Sequence, residues 1–480
     1  MKTVILWFRR DLRLADNPAL RAAVEEAERV IPVYLHAPEE EAQWAPGGAS
    51  CWWLHASLQA LSQDLAAKQS RLIIRRGQSS LSLLRELIDE TGAEGVYWNR
   101  LYEPLIVERD RSVKAALREQ GVNAKSFRAH LLREPWEMRT GKGEPYRVFT
   151  PFWRTLAKQG DPPQPLRQPP TLRPPGQWPS RQTVAELGLL LRPRWDRKLH
   201  DLWQPGEAGA ALALDHFLDG AMAVYKDGRD LPAESDTARL SPHLHFGEIS
   251  PHQAWHRARA RMAGQARLSE GGEAWLRQLA WREFAHHVLF EFPHSSDEPL
   301  YERWAGFPWR EGYQPLLRAW QRGETGFPIV DAGMRELWAT GYMHNRVRMI
   351  AASLLVKNIR APWQEGARWF WDTLVDADLA NNSMGWQWSA GSGADAAPYF
   401  RIFNPWTQSK RFDPQGRYIR RWVPELAELP DRDIHTPQAS APAILAAAGI
   451  QLGRDYPEPI IDYKTSREEA LAAARAIRQS

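Results

Sequence analysis

At 480 residues the chain exceeds one ordinary hydrophobic core, and two domains are the expectation. Hydrophobic residues make 43% and charged residues 25%, as in a soluble globular protein. The net charge of +4 excludes a bulk polycation, so any nucleic-acid case rests on where the charge sits. Cys51 is the only cysteine, which excludes an internal disulfide and a four-cysteine iron–sulfur cluster. The first apolar run, Thr3 to Phe8, is too short for a signal peptide or a membrane span. A cytoplasmic protein without a membrane anchor is expected. Tryptophan is over-used, with 24 residues, and most of them belong in the core.

Taken in order, Thr3–Phe8, Arg29–Leu35, Arg71–Arg75, Gly95–Trp98 and Val122–Phe127 read as strands. Helical patterns lie between them over Ala19–Ala27, Trp53–Lys68, Leu81–Glu90 and Glu108–Glu119. That alternation predicts an α/β domain with a parallel sheet, Rossmann-like, over 1–132. No G-x-G-x-x-G follows the first strand, so a dinucleotide site of that kind is not supported. The turn reads WFRRDLRLADNPAL, with Asp16 or Asn17 and Pro18 at a helix start. Its arginines suit an exposed, solvated turn as well as a direct role. Periodicity fades over 133–204, and the prolines from Gly160 to Pro179 mark an extended connector. From 205 to 480 the pattern is helical, with long segments at Gly209–Met222, Gly272–Phe292, Asp331–Gly341, Asn345–Arg360 and Gln364–Leu374. A larger all-α C-terminal domain follows.

Four constellations carry chemistry. From Asp376 to Pro405 the chain places Asp376, Asp378, Asn381 and Asn382 before Trp386-Gln387-Trp388, then a small-residue loop and PYFRIFNP. Small residues admit a ligand close to the backbone, and the side chains supply acceptors, donors and flat faces. A helix end packed with core tryptophans would use the same residues. Tyr225 with Thr237-Ala238-Arg239-Leu240-Ser241 makes an anion site suited to a pyrophosphate, or a capped helix start beside a loop. On the helix from Glu273 to Phe292, Trp275, Gln278, Trp281 and Arg282 form one stripe, odd for a buried face unless it meets a flat polar ligand. On the helix after Gly341, Asn345 and Met349 share a face. From Gly333 to Arg360 five bases (Arg335, Arg346, Arg348, Lys357, Arg360) stand against the single acid Glu336. That strip, with Lys410, Arg411, Arg417, Arg420 and Arg421, reads as a nucleic-acid face or as a solvated helix face.

These stretches together resemble the photolyase/cryptochrome family. Trp281-Arg282-Glu283-Phe284, PIVDAGMREL, VDADLANN and GADAAPYFRIFNP carry the match, and WFRRDLRLADNPAL and YRVFTPFWR extend it toward the N-terminus. The resemblance covers nearly the whole chain, is strongest from Asp236 to Leu426, and is closest to bacterial enzymes near the plant cryptochromes. It implies a helical FAD-binding domain. FAD would be held by Tyr225, Thr237, Ala238, Arg239, Leu240, Ser241, Trp275, Arg282, Asp376, Ala377 and Asp378, with Asn382 facing the flavin N5. Trp386, Trp363 and Trp309 match the family's electron path, and Arg229, Gln278, Trp281, Arg282, Asn345, Arg346, Met349, Trp388 and Gln408 its contacts with damaged DNA. The implied activity is light-dependent repair of cyclobutane pyrimidine dimers in UV-damaged DNA, by a monomer without a metal. A non-repairing cryptochrome photoreceptor and a (6-4) photolyase are the alternatives.

Two departures matter. Ala238 stands where a serine is common, and Gln278 stands where dimer-repairing enzymes often carry glutamate. Asn382 is photolyase-like, and the chain ends soon after the family core; both favour repair over signalling. Tyr102-Glu103-Pro104 leads to Leu105-Ile106, which loses one known folate contact. WAPGGASCWWLHASLQAL instead resembles plant cryptochromes, implying a 5,10-methenyltetrahydrofolate antenna held differently.

Overall fold

A computed structural model of the chain describes residues 1–190, 194–396 and 400–479. Five strands, β1 (Thr3–Phe8), β2 (Arg29–His36), β3 (Ile73–Arg76), β4 (Gly95–Asn99) and β5 (Asn123–Phe127), form a parallel sheet in the order β3-β2-β1-β4-β5. The crossovers carry α1 (Pro18–Glu26), α2 (Gly48–Ala67), α3 (Ser80–Thr91) and α4 (Pro104–Glu119). Every residue of β1 is buried, as a central strand covered on both faces requires. On one face Ile5, Trp7, Ile31, Val33, Val96 and Trp98 pack against Leu83, Leu84 and Leu87 of α3 and Val113 and Leu117 of α4. Pro32 is tolerated inside β2 for a local reason. Val30, two residues earlier, donates its N–H to the Arg173 carbonyl, and pairing with β3 begins only at Val33. A missing N–H at 32 therefore removes no bond of that ladder.

Asn17 is the residue that caps α1. Its side chain accepts from the Leu20 N–H at 3.0 Å, with Pro18 in the first helical position. The arginines of this turn are not an exposed solvated loop. Arg9 binds Asp110 at 2.7 Å, Arg10 binds Glu103 at 2.6 Å, and Arg13 donates to the Gly247 carbonyl at 2.8 Å. They fill the end of the sheet where strand order reverses between β1 and β4, with Arg9 7% and Arg13 1% exposed.

The described residues fall into two compact units. The first holds residues 1–223, 238–293 and 375–380: the sheet layers, the connector, and the helices Glu207–Asp219, Pro251–Met262 and Ala266–Glu291. The second holds 224–237, 294–374 and 381–480, and among its described residues it has helices and no named strand. Its helices include Pro328–Thr340, Asn345–Ser353, Trp363–Thr373, Pro405–Phe412 and Tyr463–Gln479. The helix expected over 345–360 is α-helical only to Ser353. It continues as a π-helix, Leu354–Ile359, and stops at Arg360 with φ +57°. Among the described residues, no helix is long and apolar enough to cross a membrane.

Candidate active site

In the first unit the polar centre is Asp378, in the turn ahead of the helix Leu379–Ala390. One carboxylate oxygen lies 3.4 Å from His245 Nδ1 and 3.5 Å from His286 Nε2. Burial alone lifts a carboxyl, but His286 and His245 hold Asp378 well below the usual carboxylate range. His286 donates its Nδ1–H to the Arg282 carbonyl one turn back, at 3.0 Å, so its Nε2 points at Asp378. His130, His286 and Asp378 present ligand atoms within 4.8 Å of one another. The Arg282 guanidinium, however, already donates to His130 Nε2 at 2.7 Å, and a second cation there would meet a fixed positive charge. The cluster is an ion and hydrogen-bond network that fixes Asp378 as an anion.

The other assigned residues of this unit lie around it. Asp376 accepts from the Ser241 hydroxyl at 2.6 Å, and Ala377 is buried between the two carboxylates. Leu240 is buried, Ala238 half-buried and Arg239 exposed, with its guanidinium 4.5 Å from the Trp203 ring and φ +48°. The helix that begins at Ser241 is five residues long, with Pro242 in its first turn. Along Ala266–Glu291, Trp275 is buried against Phe217 at 5.1 Å, and Gln278 is half-buried. Trp281 stacks one face on Phe149 at 3.7 Å and 8°. Arg282 is turned inward and donates to the His130 carbonyl at 2.8 Å. Phe149 escaped notice as a site residue, although it lies inside YRVFTPFWR. The three histidines around Asp378 (His130, His245 and His286) were missed because each lies 92 or more residues from it in sequence.

In the second unit Tyr225 is buried, which pushes its phenol up to about 12. Thr237 is half-buried. Asn382 donates its Nδ2–H to the Ala367 carbonyl at 3.0 Å, which orients its Oδ1 away from that helix. Trp386, one turn further, is 2% exposed and packs beside Phe370 and Trp320. Trp363 is equally buried, whereas Trp309 is half-buried in a cluster with Phe307, Trp304, Ala473 and Ile477. The three tryptophans of the expected path thus run from closed interior to partial exposure.

The helix Asn345–Ser353 carries Asn345 exposed and Met349 half-buried, 3.9 Å apart between Nδ2 and Sδ. His344 is not on this face: it is 3% exposed and caps the helix, accepting from the Arg346 N–H, and burial lowers it to about 4. Much of the basic strip around it is engaged within the protein. Arg335 pairs with Glu425 at 2.7 Å, Arg346 with Asp230 at 2.8 Å, and Arg360 with Glu469 at 3.1 Å. Arg348 donates to the Met343 carbonyl, and Lys357 is 1% exposed with its ammonium on the Ala390 carbonyl. Arg417 and Arg420 are likewise paired, with Glu234 and Asp431, while Lys410, Arg411 and Arg421 are exposed. Arg229 and Gln408 are half-buried, and Trp388 lies 6.3 Å from Phe403 with Arg401 over its ring. Residues 397–399 of GADAAPYFRIFNP lie outside the described residues.

The residues present suit FAD chemically. In the first unit they offer the ionised Asp378, the Asp376 carboxyl, the Ser241 hydroxyl and the Trp275 indole. In the second they offer the Asn382 carboxamide and the buried Ser383 Oγ, which has no hydrogen-bond partner in the protein.

Comparison with known proteins gives the family. Residues 275–476 match the model for the FAD binding domain of DNA photolyase, and residues 4–171 the model for DNA photolyase. A deoxyribodipyrimidine photo-lyase of Agrobacterium fabrum is 47% identical over 99% of this chain and 98% of its own length. Cryptochrome-1 of Arabidopsis thaliana is 40% identical over 98% of this chain and 70% of its own. The crystal structure of a class III photolyase from Agrobacterium tumefaciens superposes with a TM-score of 0.96, at 47% identity, covering 100% of this chain and 98% of that one. With two family models along its length and a relative of this identity from end to end, the chain belongs to the DNA photolyase/cryptochrome family.

Proposed function

We propose that this chain is a deoxyribodipyrimidine photo-lyase that reverses cyclobutane pyrimidine dimers in UV-damaged DNA, using light and reduced FAD. The observation that carries the choice of lesion is the face of Asn345–Ser353. It presents Asn345 and Met349, neither of which can hand over a proton, while the nearest histidine is buried, committed to a helix cap and lowered to about 4. Opening a cyclobutane ring needs no such acid.

The chemistry the flavin supplies when bound is reversible one-electron donation to the lesion under blue or near-ultraviolet light. The protein's part is binding, orientation and electrostatics. Asp376 and Asp378 offer hydrogen-bond acceptors, and Asp378 stays ionised through His245 and His286. Tyr225, Thr237, Ala238, Arg239, Leu240, Ser241, Trp275, Arg282 and Ala377 complete the proposed cradle. Asn382, its Nδ2 on Ala367, offers Oδ1 as an acceptor toward a protonated N5. Trp281 is backed by Phe149, so its open face is the one available to an extruded base. Gln278, Trp388, Gln408 and Arg229 form the rest of the lesion and DNA set. Trp386, Trp363 and Trp309 would refill the flavin with electrons.

The functional division proposed is an antenna domain over 1–132, a connector over 133–204 and a FAD-binding domain over 205–480. A methenyltetrahydrofolate antenna is part of the same reading. Trp52 and Trp53 of the segment that resembles plant cryptochromes are buried, with their indole N–H groups on His200 and Glu248. A monomeric, cytoplasmic enzyme without a metal completes the proposal. The test is illumination of chemically reduced protein with an oligonucleotide carrying a thymine dimer. Restoration in light and none in the dark supports the function; no restoration in light refutes it.

A further inference from the structure

We infer that Gly366 is a positioning residue for the electron path, setting where the Trp386 indole lies relative to Trp363. The inference rests on the reading above that these tryptophans carry electrons. Gly366 is the fourth residue of the helix Trp363–Thr373, one turn after Trp363 and on the same face. Glycine is a poor choice inside a helix, and alanine the best. Here alanine does not fit. A Cβ at 366 would lie 2.1 Å from Trp386 Cη2, 2.4 Å from Cζ3 and 2.5 Å from Cζ2. Those atoms are the rigid outer edge of an indole that cannot swing aside, because Phe370 stands 5.0 Å away at 65° and Trp320 6.0 Å away at 70°.

The next residue extends the same contact. Ala367 offers its carbonyl to Asn382 at 3.0 Å, and Asn382 and Trp386 are four residues apart on one helical face. One turn of Trp363–Thr373 therefore seats both the carboxamide assigned to N5 and the first tryptophan, and the same turn begins with the second. The hydrogen at Gly366 lets the outer edge of the indole approach backbone that leads directly to Trp363. With FAD bound, oxidised and photoexcited, Trp386 would be the residue that gives up one electron. Trp363 and then Trp309 would carry the hole to a thiol in the buffer, which would refill it. Transfer between neighbouring rings falls steeply with separation, so a displaced Trp386 slows entry without touching the lesion.

The test compares Gly366→Ala with wild type and with Trp386→Phe, all purified with FAD. Photoreduction of oxidised enzyme with added thiol should slow ~10-fold or more in Gly366→Ala. Dimer repair by the dithionite-reduced variant should stay within about twofold of wild type, since repair does not use the path. In protein carrying fluorinated tryptophan, the resonance missing from Trp386→Phe should be the one that moves in Gly366→Ala. Should Gly366→Ala fail to fold, adding Phe370→Leu makes room beside the displaced ring, and slow photoreduction is still expected. Normal photoreduction in either folded glycine variant, with Trp386→Phe blocked, overturns the role of Gly366. Normal photoreduction in Trp386→Phe overturns the electron path itself.

Discussion

Glu283 links the helix Ala266–Glu291 to the backbone at 132–133. One carboxylate oxygen accepts from the Leu132 N–H at 2.8 Å and the Arg133 N–H at 3.2 Å, and the side chain is 3% exposed. Burial is the largest influence and outweighs Arg282 and the two amides, raising the carboxyl from 4.5 to about 7. A group whose folded pKa is raised binds its proton more tightly when folded. Its stabilising contribution is therefore complete below about pH 4.5 and is lost as pH rises through about 7. At roughly 1.4 kcal/mol per pKa unit, the unfavourable difference is ~1 kcal/mol at about pH 5.5 and ~3 kcal/mol at about pH 8. Glu283→Gln keeps a carbonyl acceptor for the two amides and has no proton to lose. We predict that the variant gains on wild type by ~2 kcal/mol between those two pH values, measured by urea unfolding followed by fluorescence. If the gap between variant and wild type is the same at both pH values, Glu283 does not titrate in this range and the burial argument is wrong.

Three further outcomes are expected. Asp230→Asn removes the partner of Arg346, whose guanidinium also lies 4.4 Å from the Phe412 ring, and frees it for a phosphate. The log–log salt slope of DNA binding should steepen by about 0.9, read by fluorescence anisotropy over a salt series; an unchanged slope excludes Arg346 from the DNA face. Replacing Asp376 and Asp378 with alanine should strip FAD, as seen in the absorbance of the purified protein; full occupancy would contradict the assigned cradle. Trp281→Ala should weaken binding of dimer-containing DNA by ~1–3 kcal/mol and leave undamaged DNA unchanged, because only a base out of the stack meets that ring. Equal loss on both DNAs would place Trp281 elsewhere.

The strands were legible because β-branched and aromatic runs of this kind have one low-energy arrangement when helical segments separate them. Boundaries slipped where local signals conflict. The helix α2 begins at Gly48, five residues before the expected Trp53, because two glycines and a proline there read as a turn. The change to a π-helix at Leu354–Ile359 left no periodic trace: Leu354, Leu355 and Val356 suit either ladder. The pairing within the basic strip was hidden for a different reason. A local charge count sees Arg335, Arg346 and Arg360 but not Glu425, Asp230 and Glu469, which the fold brings to them from far along the chain. The histidines that fix Asp378 were invisible in the same way. Gly366 had a readable signal, a glycine inside an otherwise strong helical pattern, whose reason emerges only with the indole beside it.

The claim most exposed to test is that the lesion is the cyclobutane dimer and not the (6-4) photoproduct. Gln278 stands where dimer-repairing enzymes often carry glutamate, whereas Asn345 and Met349 cannot hand over a proton and His344 is turned inward as a helix cap. Reduced enzyme should be illuminated with two oligonucleotides, one carrying each lesion, and the products separated by chromatography. The account predicts restoration of the dimer oligonucleotide and no change in the other. Restoration of the (6-4) oligonucleotide without dimer repair would contradict it.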